Sequence, residues 1–282
     1  MKNQKELFDR ISKACSKNIT ITYSTSFSFS IKLLNKNLQE DIYGIYGYVR
    51  LGDEIVDTFH SYNKKDLIKQ FRNETIYALE NKISLNPILN NFQYVINKYN
   101  IPWILIDEFI QSMEFDLKKK EYDETQYKKY IKGSAENVGL MCLYVFCNNN
   151  IKLYNELEPH AISLGSAFQK INFLRDLNHD HLLLGRIYFP GVNISEFNNK
   201  DKKNIEIDIS KDFNHGLEGI KRLPKSSQRG VYIAYIYYWH LFKKIKTIEA
   251  SKILKERIRI SNVKKIFLIL RSYIDLFTNR LK

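Results

Sequence analysis

Four aspartates of this sequence form two pairs with the same spacing. Asp53 and Asp57 lie one helical turn apart, and so do Asp176 and Asp180. Two like charges at this spacing repel each other on a helix, and the cost rises in a cleft, so a divalent cation would relieve it. One such pair is usually a solvated helix surface. Two independent pairs are a stronger indication of chemistry.

Each pair ends a polar stripe on a predicted helix. The first stripe consists of Tyr46, Arg50, Asp53 and Asp57. The second consists of Gln169, Asn172, Asp176 and Asp180. At about 100° per residue, the members of each stripe fall on one helix face, within arcs of about 60° and 80°. Such oxygen ligands suit octahedral Mg²⁺, which takes its remaining ligands from water and phosphates. The stripes therefore predict a diphosphate site between two facing helices.

The composition predicts a mostly helical protein. The chain has 282 residues, of which 44% are hydrophobic and 13% aromatic, enough to bury a substantial core. Only 5 prolines and 11 glycines are present, which disfavours an all-β or turn-rich architecture. Because no linker, repeat or low-complexity tract divides the chain, we expect a single domain over residues 1–282.

The formal charge of +13 has a simple explanation in the many lysines of solvated surfaces. No Gly-rich phosphate loop, zinc-ligand spacing or nucleic-acid motif accompanies the charge, so we expect no nucleic-acid partner. The three cysteines are unevenly spaced, and we find neither a signal peptide nor an apolar run of about 20 residues. We expect a cytoplasmic protein, with attachment to the inner face of the membrane left open. The oligomeric state is not indicated.

Two stretches near the N-terminus allow two interpretations each. Residues 21–30 alternate small polar and apolar residues, as in a strand, but their serines also suit the N-terminus of a helix, where free N–H groups favour a phosphate. The glycines of the first acidic helix are Gly44, Gly47 and Gly52. Since each glycine costs about 1 kcal/mol relative to alanine in a helix, they predict close approach of a neighbouring helix or of a long apolar ligand.

The rest of the chain gives weaker predictions. The carboxylates within residues 107–116 lack a paired spacing and are interpreted as surface charge. The second acidic helix is expected from about His160, after Pro159, to Asp180. Residues 185–190 read as a turn with a buried aromatic, which would suit a flap over a site, and residues 191–213 as a polar loop. Residues 243–282 are basic, and most of that charge is expected to be solvated.

Together these motifs resemble the squalene/phytoene synthases, which join two prenyl diphosphates head to head. The resemblance spans most of the chain, and the two acidic motifs carry it. It also includes Ser24, Ser26 and Phe27 before the first motif and the run Gly185-Arg186-x-Tyr188-x-Pro190 after the second.

The resemblance implies an all-α isoprenoid-synthase fold with helices around a central apolar cavity. It implies Mg²⁺, with Mn²⁺ as an alternative, bound by Asp53, Asp57, Asn172, Asp176 and Asp180. The four aspartates would act in catalysis together with Tyr46. The prenyl diphosphate would be bound by Ser24, Ser26, Phe27, Arg50, Gln169, Asn172, Arg175 and Arg257, and Tyr237 is a further candidate for a phosphate contact.

The implied reaction is the condensation of two geranylgeranyl diphosphates to phytoene, through a cyclopropylcarbinyl diphosphate, in carotenoid synthesis. A squalene or dehydrosqualene synthase using farnesyl diphosphate and a non-catalytic assembly protein are the alternatives. Ile31 is a candidate floor residue for the cavity and favours the longer substrate. Lys132, beside Tyr130, stands where relatives usually carry a tyrosine; it would either pair with diphosphate or impair the second half-reaction.

Overall fold

The computed structural model describes residues 4–117, 121–255 and 257–260. Within them the chain forms helices α1 Gln4–Tyr23, α2 Thr25–Lys32, α3 Lys36–Asp57, α4 Lys64–Asn81, α5 Pro87–Tyr99, α6 Trp103–Asp116, α7 Glu124–Ile131, α8 Asn137–Cys147, α9 Ile151–His179, α10 Asn199–Arg222, α11 Lys225–Lys246 and α12 Ala250–Ile253. Two single π-helical turns, Lys132–Glu136 and Asp180–Leu184, and a 3₁₀ turn, Ile194–Glu196, complete the described part. The expected all-helical fold is confirmed.

The serine-rich stretch is helical, so the strand interpretation is wrong. Ser24 separates α1 from α2, and its hydroxyl accepts a hydrogen bond from the backbone N–H of Phe27 at 3.1 Å. This is the N-cap interaction that serine favours. The alternation of residue types therefore reflects capping and helix packing, not a pleated strand.

The three glycines of α3 serve contacts between helices. A Cβ at Gly44 would lie 3.0 Å from Val95 of α5, one at Gly47 would lie 3.2 Å from Ser16 of α1, and one at Gly52 would lie 3.1 Å from Phe109 of α6. Of the two interpretations, the neighbouring helix is therefore confirmed. The apolar-ligand alternative is wrong for these positions, because none of the three lines the cavity described below.

Helix α9 begins nine residues earlier than expected, at Ile151, and contains Pro159. A proline inside a helix costs about 3 kcal/mol, but buried Tyr154 and Leu157 anchor the first turns of α9 in the core. The predicted loop over residues 191–213 is also wrong from Asn199 onward. Asn198 caps α10 there with a reciprocal side-chain hydrogen bond to Asp201.

Two hydrophobic clusters form the core. One contains buried side chains of α2 to α6, α8 and the start of α9, and the other contains side chains of α7 and α9 to α12. Helix α9 contributes to both clusters and lies between them. None of the helices in the described ranges is both long and apolar enough to cross a bilayer.

Candidate active site

A cavity of about 830 Å³ lies between the two core clusters. Its lining on α9 extends from Leu157 to Arg175, which corresponds to about 27 Å at 1.5 Å per residue. One end is polar and includes Arg50, Asp53 and Asn172, while the remainder is lined mainly by apolar side chains such as Ile42 and Phe146. The cavity is a long apolar slot with one charged end.

Most of the predicted substrate-binding residues meet at that charged end. Those that line the cavity are Ser24, Ser26, Phe27, Tyr46, Arg50, Asp53, Gln169, Asn172, Arg175, Tyr237 and Arg257. Asn172 is oriented by its neighbours, since its Oδ1 accepts from the Tyr238 hydroxyl at 3.3 Å and its Nδ2 donates to Gln169 at 3.4 Å. Ile31, the candidate floor residue, also lines the cavity and is buried.

Arg50 is held for an anionic partner. Its guanidinium lies over the Tyr23 ring, with 4.3 Å to the ring centroid, and it forms an ion pair with Glu54. Its buried Nε has no hydrogen-bond partner among the described residues. A buried donor without a partner is costly, so this nitrogen favours a ligand with oxygen acceptors.

The first acidic motif lies at the C-terminal end of α3. Burial, followed by repulsion from Asp57, raises the pKa of Asp53 to about 7, even though Arg50 lies 4.0 Å away. Asp57 accepts a hydrogen bond from Arg186 at 2.8 Å. One carboxylate of the motif is thus neutralised by an arginine, and the other is not.

The second acidic motif lies at the end of α9 and the start of the second π-helical turn. Asp176 accepts hydrogen bonds from Arg175 at 2.5 and 2.9 Å and from Arg257 at 2.6 and 3.1 Å. Although burial acts in the opposite direction, these arginines hold the pKa of Asp176 below its usual value. Burial, together with the charges of Asp176 and Asp57, raises the pKa of Asp180 to about 7.

The two motifs lie near each other, because the charge of Asp57 in the first motif raises the pKa of Asp180 in the second. The carboxylates that repel one another electrostatically at this end are Asp53, Asp57, Asp116, Asp176 and Asp180. The described residues contain no group of three side chains already placed to hold a metal ion. The carboxylates nevertheless fit a divalent cation, because burial and mutual repulsion raise the pKa values of three of them, Asp53, Asp116 and Asp180.

Asp116 belongs to this cluster, so its interpretation as surface charge is wrong. It is buried at the end of α6 and accepts hydrogen bonds from Tyr130 at 2.7 Å, Tyr122 at 2.9 Å and Tyr188 at 3.2 Å. Burial, partly offset by Arg186, raises the pKa of Asp116 to about 6. Its isolated position on α6 gave no pairing signal, and only the three tyrosines, distant in sequence, reveal its role.

The segment expected to form a flap is anchored in the protein. Arg186 is only 5% exposed and reaches Asp57, while Tyr188 and Phe189 are buried against Phe173. Gly185 has φ = +63°, a left-handed conformation that glycine tolerates well. This turn sends the chain back across the acidic end after the π-helical turn.

Lys132 does not face the cavity. Its ammonium group donates to Glu108 at 2.6 Å, and its side chain is 53% exposed. The expectation that it pairs with diphosphate is therefore wrong for this structure, whereas an effect on the second half-reaction stays a prediction. Tyr130, Ser134 and Ala135 from the same segment line the cavity instead.

The C-terminal side of the site is described only in part. Residues 257–260 lie beside the cavity, with Arg257 and Arg259 in its lining and Ile258 and Ile260 buried. The predictions for the basic residues 261–282 lie outside the described residues.

Comparison with known proteins identifies the family of this chain. The sequence profile of the squalene/phytoene synthase family matches residues 21–206, well over half of the chain. The chain is 25% identical over 193 residues to 4,4'-diapophytoene synthase of Staphylococcus haemolyticus, covering 66% of this chain and 65% of that protein. It is 23% identical over 297 residues to the chloroplastic phytoene synthase 1 of Solanum lycopersicum, covering 95% of this chain and 68% of that protein. These matches span about two thirds of each relative's length.

Solved structures show the same fold. A dehydrosqualene synthase in complex with ligand superposes with a TM-score of 0.81 over 96% of this chain and 98% of that protein, at 18% identity. The squalene synthase HpnC from Alicyclobacillus acidocaldarius superposes with a TM-score of 0.75 over 85% of this chain and 94% of that protein, at 19% identity. The architecture is thus the isoprenoid-synthase fold expected from the sequence. With its profile match over residues 21–206, the chain belongs to the squalene/phytoene synthase family of prenyltransferase-type synthases.

Proposed function

We propose that this protein condenses two geranylgeranyl diphosphates head to head to phytoene, through a cyclopropylcarbinyl diphosphate. The observation that carries the proposal is a long apolar cavity whose charged end is lined by Asp53 of the first motif and by Arg175, which pairs with Asp176 of the second. A prenyl diphosphate has the same division into a charged head and an apolar tail. The phytoene synthases among the relatives support this choice of product.

In this proposal the diphosphates lie at the charged end. Arg50, with its unpartnered Nε, and Arg175 bind phosphate oxygens, and Ser24 and Ser26 contribute hydroxyls or backbone N–H groups at the N-terminus of α2. Asp53, Asp57, Asp176 and Asp180 would hold Mg²⁺, or Mn²⁺, together with Asn172. When bound, the metal would neutralise the negative charge that develops on the leaving diphosphate.

The apolar part of the cavity has a separate task. Loss of diphosphate leaves an allylic cation, which water would quench, so the cation has to form in a dry environment. Phe27 lines the cavity and packs against Tyr46, Phe168 and Tyr238 at ring-centroid distances of 5.8–6.5 Å. These rings exclude water and present electron-rich faces to a cation.

The second candidate is a synthase that uses farnesyl diphosphate to make squalene or dehydrosqualene. It is favoured by the similarity to a diapophytoene synthase and by the superposition on a dehydrosqualene synthase. The length of the cavity decides between the two. Ile31→Phe would place an aromatic ring in the cavity wall, and we expect it to reduce turnover of geranylgeranyl diphosphate more than that of farnesyl diphosphate.

The decisive experiment incubates the purified protein with Mg²⁺ and each of the two prenyl diphosphates, followed by extraction and mass spectrometry of hydrocarbons. Phytoene that disappears in an Asp53→Asn/Asp176→Asn variant supports the proposal. A squalene-type product would keep the mechanism and change the substrate. Failure to consume either diphosphate would indicate the third alternative, a non-catalytic assembly protein.

A further inference from the structure

Asp116 is a buried carboxylate to which the proposed reaction assigns no task. Its side chain is 3% exposed. Its Oδ1 accepts from Tyr122 and Tyr188, and its Oδ2 accepts from Tyr130. The three tyrosine rings also pack against one another, with centroid distances of 5.1–5.3 Å. Asp116 is thus enclosed by hydroxyl donors and aromatic rings, so it is poorly placed to bind a metal itself.

Arg186 connects this enclosed carboxylate to the first acidic motif. One nitrogen of its guanidinium, Nη1, lies 2.8 Å from Asp57 Oδ1, 3.5 Å from Asp116 Oδ2 and 3.3 Å from the Tyr188 hydroxyl. Asp57 is 41% exposed at its side chain, whereas Arg186 is buried. The guanidinium of Arg186 is therefore shared between the buried carboxylate of Asp116 and the partly exposed carboxylate of Asp57.

We propose that Asp116 is a positioning residue that competes with Asp57 for the charge of Arg186 and so keeps the oxygens of Asp57 available to a divalent cation. With Asp116 present, one arginine faces two carboxylates, and the group retains a net negative charge. Without that charge, Arg186 would pair with Asp57 alone and compete with the cation for the same oxygens. This inference rests on the proposed function, because it concerns the cation site of that function.

The chain offers a matched control for the substitution. Asp41, near the other end of α3, is also 3% exposed and accepts hydrogen bonds from a lysine and a tyrosine, Lys98 and Tyr99, each at 2.7 Å. It lies 12 residues before Asp53, or about 18 Å along the helix. Asp41→Asn therefore makes the same chemical change in a similar buried network away from the site.

The test measures binding of Mn²⁺ alone to the full chain, by the electron paramagnetic resonance signal of the free ion, alongside thermal unfolding. We expect Asp116→Asn to weaken Mn²⁺ binding about tenfold or more, as is usual for groups that orient metal ligands. Asp41→Asn should leave Mn²⁺ binding unchanged, although both variants melt at lower temperature. Tyr188→Phe keeps the ring and removes the hydroxyl that bonds both Asp116 and Arg186, and it should weaken binding two- to threefold, or about 0.4–0.7 kcal/mol.

Unchanged Mn²⁺ binding in Asp116→Asn would overturn this inference alone and leave the hydrocarbon assay to decide the proposed function. If Asp116→Asn does not fold, unchanged Mn²⁺ binding in Tyr188→Phe overturns the inference about Asp116 in the same way. If the wild-type chain binds no Mn²⁺, both the cation site and this inference fail.

Discussion

The two acidic motifs have identical spacing, but their aspartates are neutralised in opposite order. In the first motif the second aspartate, Asp57, pairs with Arg186. In the second motif the first aspartate, Asp176, pairs with Arg175 and Arg257. The ion-pair contacts of the remaining two aspartates are longer among the described residues. Asp53 lies 4.0 Å from Arg50, and Asp180 lies 3.6 Å from His179.

This difference gives each motif one neutralised and one uncompensated carboxylate. The uncompensated pair carries raised pKa values of about 7. Charge that the protein's own cations stabilise only weakly is available to bind a ligand, and it lowers the stability of the ligand-free protein. The comparison thus separates the aspartates that form close ion pairs with arginines, Asp57 and Asp176, from those that do not, Asp53 and Asp180.

The largest expected effect is on turnover. Asp53→Asn and Asp180→Asn each remove an uncompensated carboxylate, so we expect hydrocarbon formation to fall by about 10³-fold or more, in the range seen when a stabiliser of transition-state charge is lost. The rate of product formation at saturating Mg²⁺ measures this. Glu80→Gln, an exposed carboxylate on α4, is the control. Near-normal rates in both aspartate variants would contradict the assignment of these residues.

The arginines that neutralise the motifs should differ in their effect on stability. Arg186→Gln leaves Asp116 buried without its cation, and we expect a loss of about 3–5 kcal/mol in the free energy of unfolding. Arg257 is 41% exposed at its side chain, and Asp176 keeps Arg175, so Arg257→Gln should cost less than about 1 kcal/mol. Urea unfolding measures both values. Equal losses in the free energy of unfolding would contradict the claim that Arg186 compensates a buried charge and Arg257 an already paired one.

Replacement by asparagine should change the melting temperature in opposite directions for the two kinds of aspartate, those without a close ion pair and those paired with an arginine. The pKa values of Asp53 and Asp180 are raised to about 7 from an ordinary value of 3.8. Their favourable contribution to the free energy of unfolding is therefore complete below about pH 4, and it is lost as the pH rises through 7. At pH 8 without divalent metal, Asp53→Asn and Asp180→Asn should therefore melt a few degrees above the wild type. Asp176→Asn should melt below it, because Arg175 loses its partner.

Calorimetric melting in EDTA, repeated at pH 5 and pH 8, tests this prediction. The advantage of the two stabilised variants should shrink at pH 5, where the wild-type carboxylates are largely protonated. A destabilised Asp53→Asn at pH 8 would show that this carboxylate has a partner of its own.

The smallest effect is expected outside both motifs, at Lys132. Its pair with Glu108 is half exposed and should contribute at most about 1 kcal/mol. Lys132→Gln should therefore leave the products unchanged and alter the melting temperature by no more than a few degrees. Accumulation of the cyclopropylcarbinyl diphosphate in this variant, measured by mass spectrometry, would contradict the outward orientation of Lys132.

The sequence by itself was sufficient for the features that depend on local spacing. The four-residue interval of the aspartates and the helical periodicity act within one or two turns, so they can be recognised without knowing the fold, whereas the serines of residues 21–30 left a strand and a helix cap equally open. The same reasoning failed for the start of α9, where core packing of Tyr154 and Leu157 outweighs the cost of Pro159.

Only the tertiary structure decided which charges are compensated. Arg186 reaches Asp57 across 129 residues of chain, and Asp116 meets its tyrosines only when α6, α7 and the turn after α9 come together. It also decided that Lys132 points outward and that Gly47 serves a contact with Ser16. Burial and ion pairing between distant segments depend on how the helices pack, and residue spacing carries no information about that packing.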